Sequence, residues 1–65
     1  MDRTAIGKRL ADLRGTRSQK AVALDLGISQ QALCMYEKGT RSPKDDLKVK
    51  IAKYYKTTVA KIFYA

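Results

Sequence analysis

The chain has no histidine and no tryptophan, and only one cysteine and one proline in 65 residues. Without histidine the commonest general base is missing. One cysteine and no histidine cannot assemble a zinc site of ordinary ligand count. A lone Cys34 excludes an intrachain disulfide and fits a reducing, intracellular setting, so a cytoplasmic protein is expected. No apolar run approaches the roughly 20 residues of a membrane-spanning helix. Met1-Asp2-Arg3-Thr4 is not the apolar stretch of a secretory signal. There is no phosphate-cradling glycine loop and no paired-carboxylate constellation. Asp45 and Asp46 are adjacent, hence about 100° apart on a helix, and suit the first turn better than shared chemistry. No enzyme, metal site, cofactor or small-molecule ligand is expected. The length excludes doubly wound sheets and (β/α)₈ barrels and points to one domain over residues 1–65 with a marginal core.

Acidic residues are scarce too: 6 Asp+Glu stand against 14 Lys+Arg, for a net charge of +8. An apolar content of 45% is too high for a disordered polybasic tail. A folded basic domain follows, with nucleic acid as first partner and an anionic membrane surface as second. The charge is uneven. Residues 1–20 carry +4, residues 21–43 are neutral, and residues 44–65 carry +4. Basic flanks around a neutral centre suit a protein whose flanks hold phosphates and whose centre reads by hydrogen bonds and shape. Excess surface lysine for solubility would give similar totals.

The pattern along the chain is helical throughout. Ile6, Leu10 and Leu13 predict a helix over about Thr4–Arg14, stopped by Gly15. Ser18 reads as the cap of a second helix, Gln19–Leu26, closed by Gly27. Ser29 caps a third, from about Gln30 to Glu37 or Lys38, closed by Gly39. Ser42 at a cap and Pro43 at the first helical position open a fourth, running through Lys44–Tyr55. Thr58 caps a short fifth, Val59–Phe63. The expectation is an all-α domain. The lysines of the fourth helix surround it rather than facing one apolar side, which argues against a membrane-surface role.

Within this frame, residues 19–38 form a helix-turn-helix unit. Ala23 is small where the two helices cross. Gly27 sets their angle. Val22, Leu26, Ile28, Leu33 and Tyr36 seal the pair onto the core. At this point the chain resembles the Cro/CI-type (Xre-like) helix-turn-helix regulators of phages and bacteria. The resemblance rests on LRGTRSQKAVALDLGISQQALCMYEKG, the following R-S-P, and the I-A-x-Y-Y and I-F pairs near the end. It implies a compact five-helix, lambda-repressor-like domain with the motif at helices 2 and 3. It further implies binding of double-stranded operator DNA, commonly as a homodimer, with helix 3 in the major groove.

Helical spacing then divides helix 3. Ala32, Leu33 and Tyr36 share the core side, while Gln30, Gln31, Cys34 and Lys38 share the other with Met35 at its edge. Gln30 and Gln31 are the expected base readers, since Gln bonds bidentately to adenine. Cys34 and Met35 offer soft apolar contact. Arg17, Lys20, Ser29, Lys38, Arg41 and Lys44 are expected along the DNA backbone. The resemblance implies a phosphate contact for Gln19 and a structural pair between Arg14 and Glu37. Tyr36, Tyr55 and Phe63 fall on core spacing rather than forming a base-stacking platform. Tyr54, Tyr64, Val49 and Leu24 are candidates for a subunit contact. A redox role for Cys34 lacks an activating partner. A transcriptional repressor on a pseudo-palindromic operator is the expected function. The same fold serving to bind a protein, as an antitoxin or phage partner-binding protein, is the alternative.

Overall fold

The computed structural model describes residues 2–65 of the chain. Its helices are α1 Arg3–Arg14, α2 Gln19–Leu26, α3 Gln30–Lys38, α4 Asp45–Tyr54 and α5 Val59–Phe63. There is no strand among the described residues. α2, α3 and α5 occupy the residues expected of them, and their capping is the reason. Ser18 Oγ accepts from the Ala21 amide at 3.0 Å, Ser29 Oγ from Ala32 at 3.0 Å, and Thr58 Oγ1 from Lys61 at 3.2 Å. Gly27 and Gly39 close α2 and α3 in the left-handed region, at φ 71° and 79°.

Two helix starts differ from expectation. α1 begins at Arg3 because the Asp2 carboxylate accepts from the Thr4 amide at 2.9 Å. α4 does not begin at Ser42-Pro43. Its N-cap is Lys44, with no side-chain cap bond, and its first turn carries Asp45 and Asp46. Pro43 is buried, so it serves the loop's inward packing rather than the first helical turn. The two carboxylates then complement the helix dipole where a capping side chain is absent. α4 ends one residue early, at Tyr54, without glycine. Lys56 takes φ +57°, and the amides of Lys56 and Thr57 donate to the carbonyls of Lys53 and Ala52 at 3.1 and 2.9 Å.

All five helices contribute to one core. Leu10, Val22, Leu26, Leu33, Ile51, Ile62 and Phe63 are fully enclosed, and Ile6, Ala23, Tyr36, Ala52 and Tyr55 complete it. Ala23 is buried as its small size requires. Burial pushes the Tyr55 phenol above its ordinary pKa, and its Oη finds no hydrogen-bond partner among the described residues. Arg9 fastens α1 to the end of the chain, donating to the Ile62 and Ala65 carbonyls at 2.8 and 3.2 Å.

The position of α3 is set from behind by α1. Gly7, in the middle of α1, lies against the backbone of α3: a Cβ there would collide with the Glu37 carbonyl oxygen and stand 2.8 Å from that of Tyr36. Gly39 makes the reciprocal approach, where a Cβ would stand 2.9 Å from the Arg3 carbonyl. Arg14 completes the grip. Its Nε donates to Glu37 Oε2 at 2.8 Å and its Nη2 to Oε1 at 3.1 Å. The Glu37 side chain is 6% exposed. That hydrogen bond raises the Arg14 pKa further above its ordinary value.

Two stability changes follow. Alanine is the better helix former by about 1 kcal/mol, but at Gly7 its Cβ meets unyielding backbone, so overpacking wins. Gly7→Ala should destabilise by about 1–3 kcal/mol or more in urea unfolding; an increase in stability would disprove the close approach. Lys56→Gly should stabilise by about 0.5–1 kcal/mol, because a non-glycine residue in the left-handed region is strained by about 1–2 kcal/mol and glycine's added chain entropy offsets part of the relief. A lower midpoint would contradict the observed conformation.

Candidate nucleic-acid interface

The reading face of α3 follows from its caps and its core side. Leu33 and Tyr36 are buried, which turns Gln30, Gln31 and Lys38 to solvent and leaves Cys34 and Met35 half-buried at the margin. With Gln19 from the start of α2, these five side chains line one shallow groove. All four expected base readers are thus on one surface. None of their side chains bonds to another part of the protein among the described residues, so their hydrogen-bonding groups are available to a ligand.

The surrounding cations divide into two sets. Lys20 is exposed on the first turn of α2, and Lys38 on the last turn of α3. Arg41 and Lys44 lie beside Tyr36, Ser42 and Asp46 along a second depression, formed by the loop after α3 and the start of α4. None of these four makes a salt bridge among the described residues. Lys48, in contrast, is held by Asp45 at 3.7 Å and by the Tyr64 hydroxyl at 3.2 Å, over the rings of Phe63 and Tyr64.

Arg17 is exposed, but its guanidinium is engaged by the protein itself. Its guanidinium donates to the carbonyls of Leu13 and Arg14 at 3.1 and 3.3 Å and to Tyr54 Oη at 3.3 Å, and lies 5.3 Å from the ring centres of both Tyr54 and Tyr55. It thereby closes the C-terminal end of α1 with a cation. Tyr54 passes the link on, its hydroxyl donating to Asp25 at 2.7 Å, which raises the phenol's pKa above the ordinary tyrosine value. α1, α2 and α4 are joined through this chain of contacts.

Ser29 uses its oxygen lone pair to cap α3, so its hydroxyl hydrogen is what remains for a phosphate. Gln19 has a partner that its sequence position did not announce. Its Nε2 donates to Glu37 Oε1 at 3.0 Å, the oxygen that also accepts from Arg14 Nη2. Glu37 therefore touches the end of α1, the start of α2 and its own helix α3 through one carboxylate. Gly7 is the other residue missed, although an unexplained glycine inside a helical pattern is a recognised sign of close packing. Among the subunit-contact candidates, Tyr54 is tied to Asp25 and Arg17. Leu24, Val49 and Tyr64 remain exposed at 80%, 45% and 55%.

Comparison with known proteins agrees with this geometry. Residues 8–62 match the helix-turn-helix family. The cryptic phage CTXphi transcriptional repressor RstR from Vibrio cholerae is 38% identical over 56 residues, which covers 83% of this chain and 50% of that protein. The chain thus spans about half the length of this curated relative. No solved structure matches the chain. With its motif helices at Gln19–Leu26 and Gln30–Lys38 and its match running through nearly every element, this chain belongs to the helix-turn-helix family.

Proposed function

We propose that this protein is a sequence-specific transcriptional regulator that binds double-stranded DNA and carries out no catalysis. One observation carries the reading. A groove with free amides from Gln30 and Gln31 carries Lys38 in its lining, and the unpaired cations Lys20, Arg41 and Lys44 lie on the first turn of α2 and along the second depression. Amides read base edges, and cations hold phosphates without reading them. α3 enters the major groove, Gln30 and Gln31 bond to bases, and Cys34 and Met35 give apolar contact, for instance to a thymine methyl. Ser29 adds a hydroxyl to the backbone contacts. Nearly all of residues 1–65 is DNA-binding domain on this reading, and the protein works in the cytoplasm where the DNA lies. The relative RstR is named a transcriptional repressor, which supports repression as the sign of regulation. Binding as a homodimer would match a pseudo-palindromic operator with half-sites about 34 Å apart, one helical turn.

Selection from a random duplex pool at about 0.15 M salt tests the reading. Enrichment of a palindrome is expected. Retention without enrichment would show that charge alone binds, and would favour a fold that docks a protein instead. On the selected site, Gln30→Ala and Gln31→Ala should each lose about 1–3 kcal/mol of discrimination per bidentate pair; unchanged preference in both would remove them from the reading face.

Lys44 offers a sharper test, because stability and binding should move in opposite directions. Lysine is a poor N-cap and makes no cap bond here. Lys44→Ser should stabilise the fold by about 1 kcal/mol yet lower the salt slope of log K by about one as a phosphate contact is lost. An unchanged slope would clear Lys44 of contact with DNA.

A further inference from the structure

α4 has an outward face that nothing in the fold uses. Its core side carries Ile51 and Ala52. Asp45, Val49 and Lys53 are exposed and stand four residues apart. Four residues advance a helix by about 6 Å and overshoot one full turn by about 40°, so the three form one stripe with Val49 at its midpoint. The stripe is acidic at one end, apolar in the middle and basic at the other. Asp45 keeps its side chain 94% exposed although Lys48 Nζ lies 3.7 Å away, and Lys53 makes no salt bridge among the described residues. Tyr64 is drawn to the same side, since Lys48 Nζ also lies 3.2 Å from its hydroxyl. Val49 and Tyr64 are two of the three large apolar side chains left exposed among the described residues, and the third, Leu24, belongs to α2.

This order of charges is its own complement. A second copy turned end for end about a two-fold axis at Val49 brings Val49 against Val49, and Asp45 of either copy against Lys53 of the other. A parallel pairing would set like charges together at both ends. Reciprocal contact of this kind is what a two-fold interface requires. We propose that this stripe is the surface through which two copies of the chain join, α4 antiparallel to α4, and that the contact sets the pair on a two-fold operator. It rests on the homodimer part of the regulator reading and deepens it by naming the face. The contact is small, one apolar centre and two exposed ion pairs of little individual worth, and falls short of the roughly 800 Å² per partner of a standard interface. The free protein is therefore mainly monomeric when dilute, and neighbouring half-sites supply the effective concentration that closes the pair.

The charge order provides a crossed test. Asp45→Lys gives a stripe basic at both ends, and Lys53→Glu gives one acidic at both ends. Each variant repels a copy of itself, while the two attract each other at both ends. The readout is affinity for the full palindrome relative to an isolated half-site, which cancels changes in net charge. Each variant alone should lose about tenfold of that preference, as two weak pairs turn from attraction to repulsion, and an equimolar mixture should recover it. No loss, or a loss that mixing does not recover, would overturn the proposal. A DNA-free arm uses Val49→Cys in a Cys34→Ser background. Oxidation should link it into dimers several-fold faster than Leu24→Cys in the same background, although Leu24 is the more exposed position. Equal rates would dispose of this face and leave the regulator reading intact. The linked Val49→Cys dimer should still prefer the full palindrome, and failure to engage both half-sites counts against the proposal. Absence of any preferred sequence for the wild type would instead bring down the regulator reading, and the operator part of this inference with it; the crosslinking rates then decide the face alone.

Discussion

The grip of α1 on the back of α3 is the constraint on which the rest of the molecule depends. On the proposed reading α3 enters a DNA groove, so it has to stand proud of its own core, with one side given up to solvent. α3 is nine residues long, too short to be stable on its own. It is held by backbone approach at Gly7 and Gly39 and by the carboxylate of Glu37. Glycine at the two contact points lets the helices come nearer than any side chain would allow, and the ion pair then fixes their relative slide.

The same carboxylate joins three helices. Glu37 lies in the last turn of α3, Arg14 ends α1, and Gln19 begins α2. Glu37 lies 23 and 18 positions from the other two, and all three meet at one group. A second junction, Arg17 with Tyr54, Tyr55 and Asp25, fastens α4 to the other side of the motif. The motif is therefore braced on both flanks by arginines bonded to the protein itself, while Lys20, Lys38, Arg41 and Lys44 make no salt bridge among the described residues. Net charge alone does not separate these two uses of arginine and lysine.

What was legible in the sequence was local. α2 and α3 were closely bounded because Ser18, Ser29, Gly27 and Gly39 act on their own turns, and the face of α3 followed from its 100° step. The start of α4 was misread because Ser42-Pro43 carries the local signs of a helix opening, and only the burial of Pro43 overrides them. Its end was loosely placed because Lys56 does by strain what glycine does freely. The Gly7 approach, the bond from Arg17 to Tyr54 and the bond from Gln19 to Glu37 were not legible, since each depends on residues brought together from 18 to 37 positions away. The Arg14–Glu37 pair came from resemblance, not from spacing.

Gln30, Gln31, Cys34 and Met35 take no part in the side-chain bonds that hold the fold together. Their identities can change without disturbing α1, the two glycines or the Glu37 junction. If these four residues read the target, as proposed, target choice and foldedness are nearly independent variables in this chain. A lineage built on the frame can drift to a new operator through a few substitutions, each step passing through a folded protein. A designer can randomise those four positions as a library on a constant scaffold.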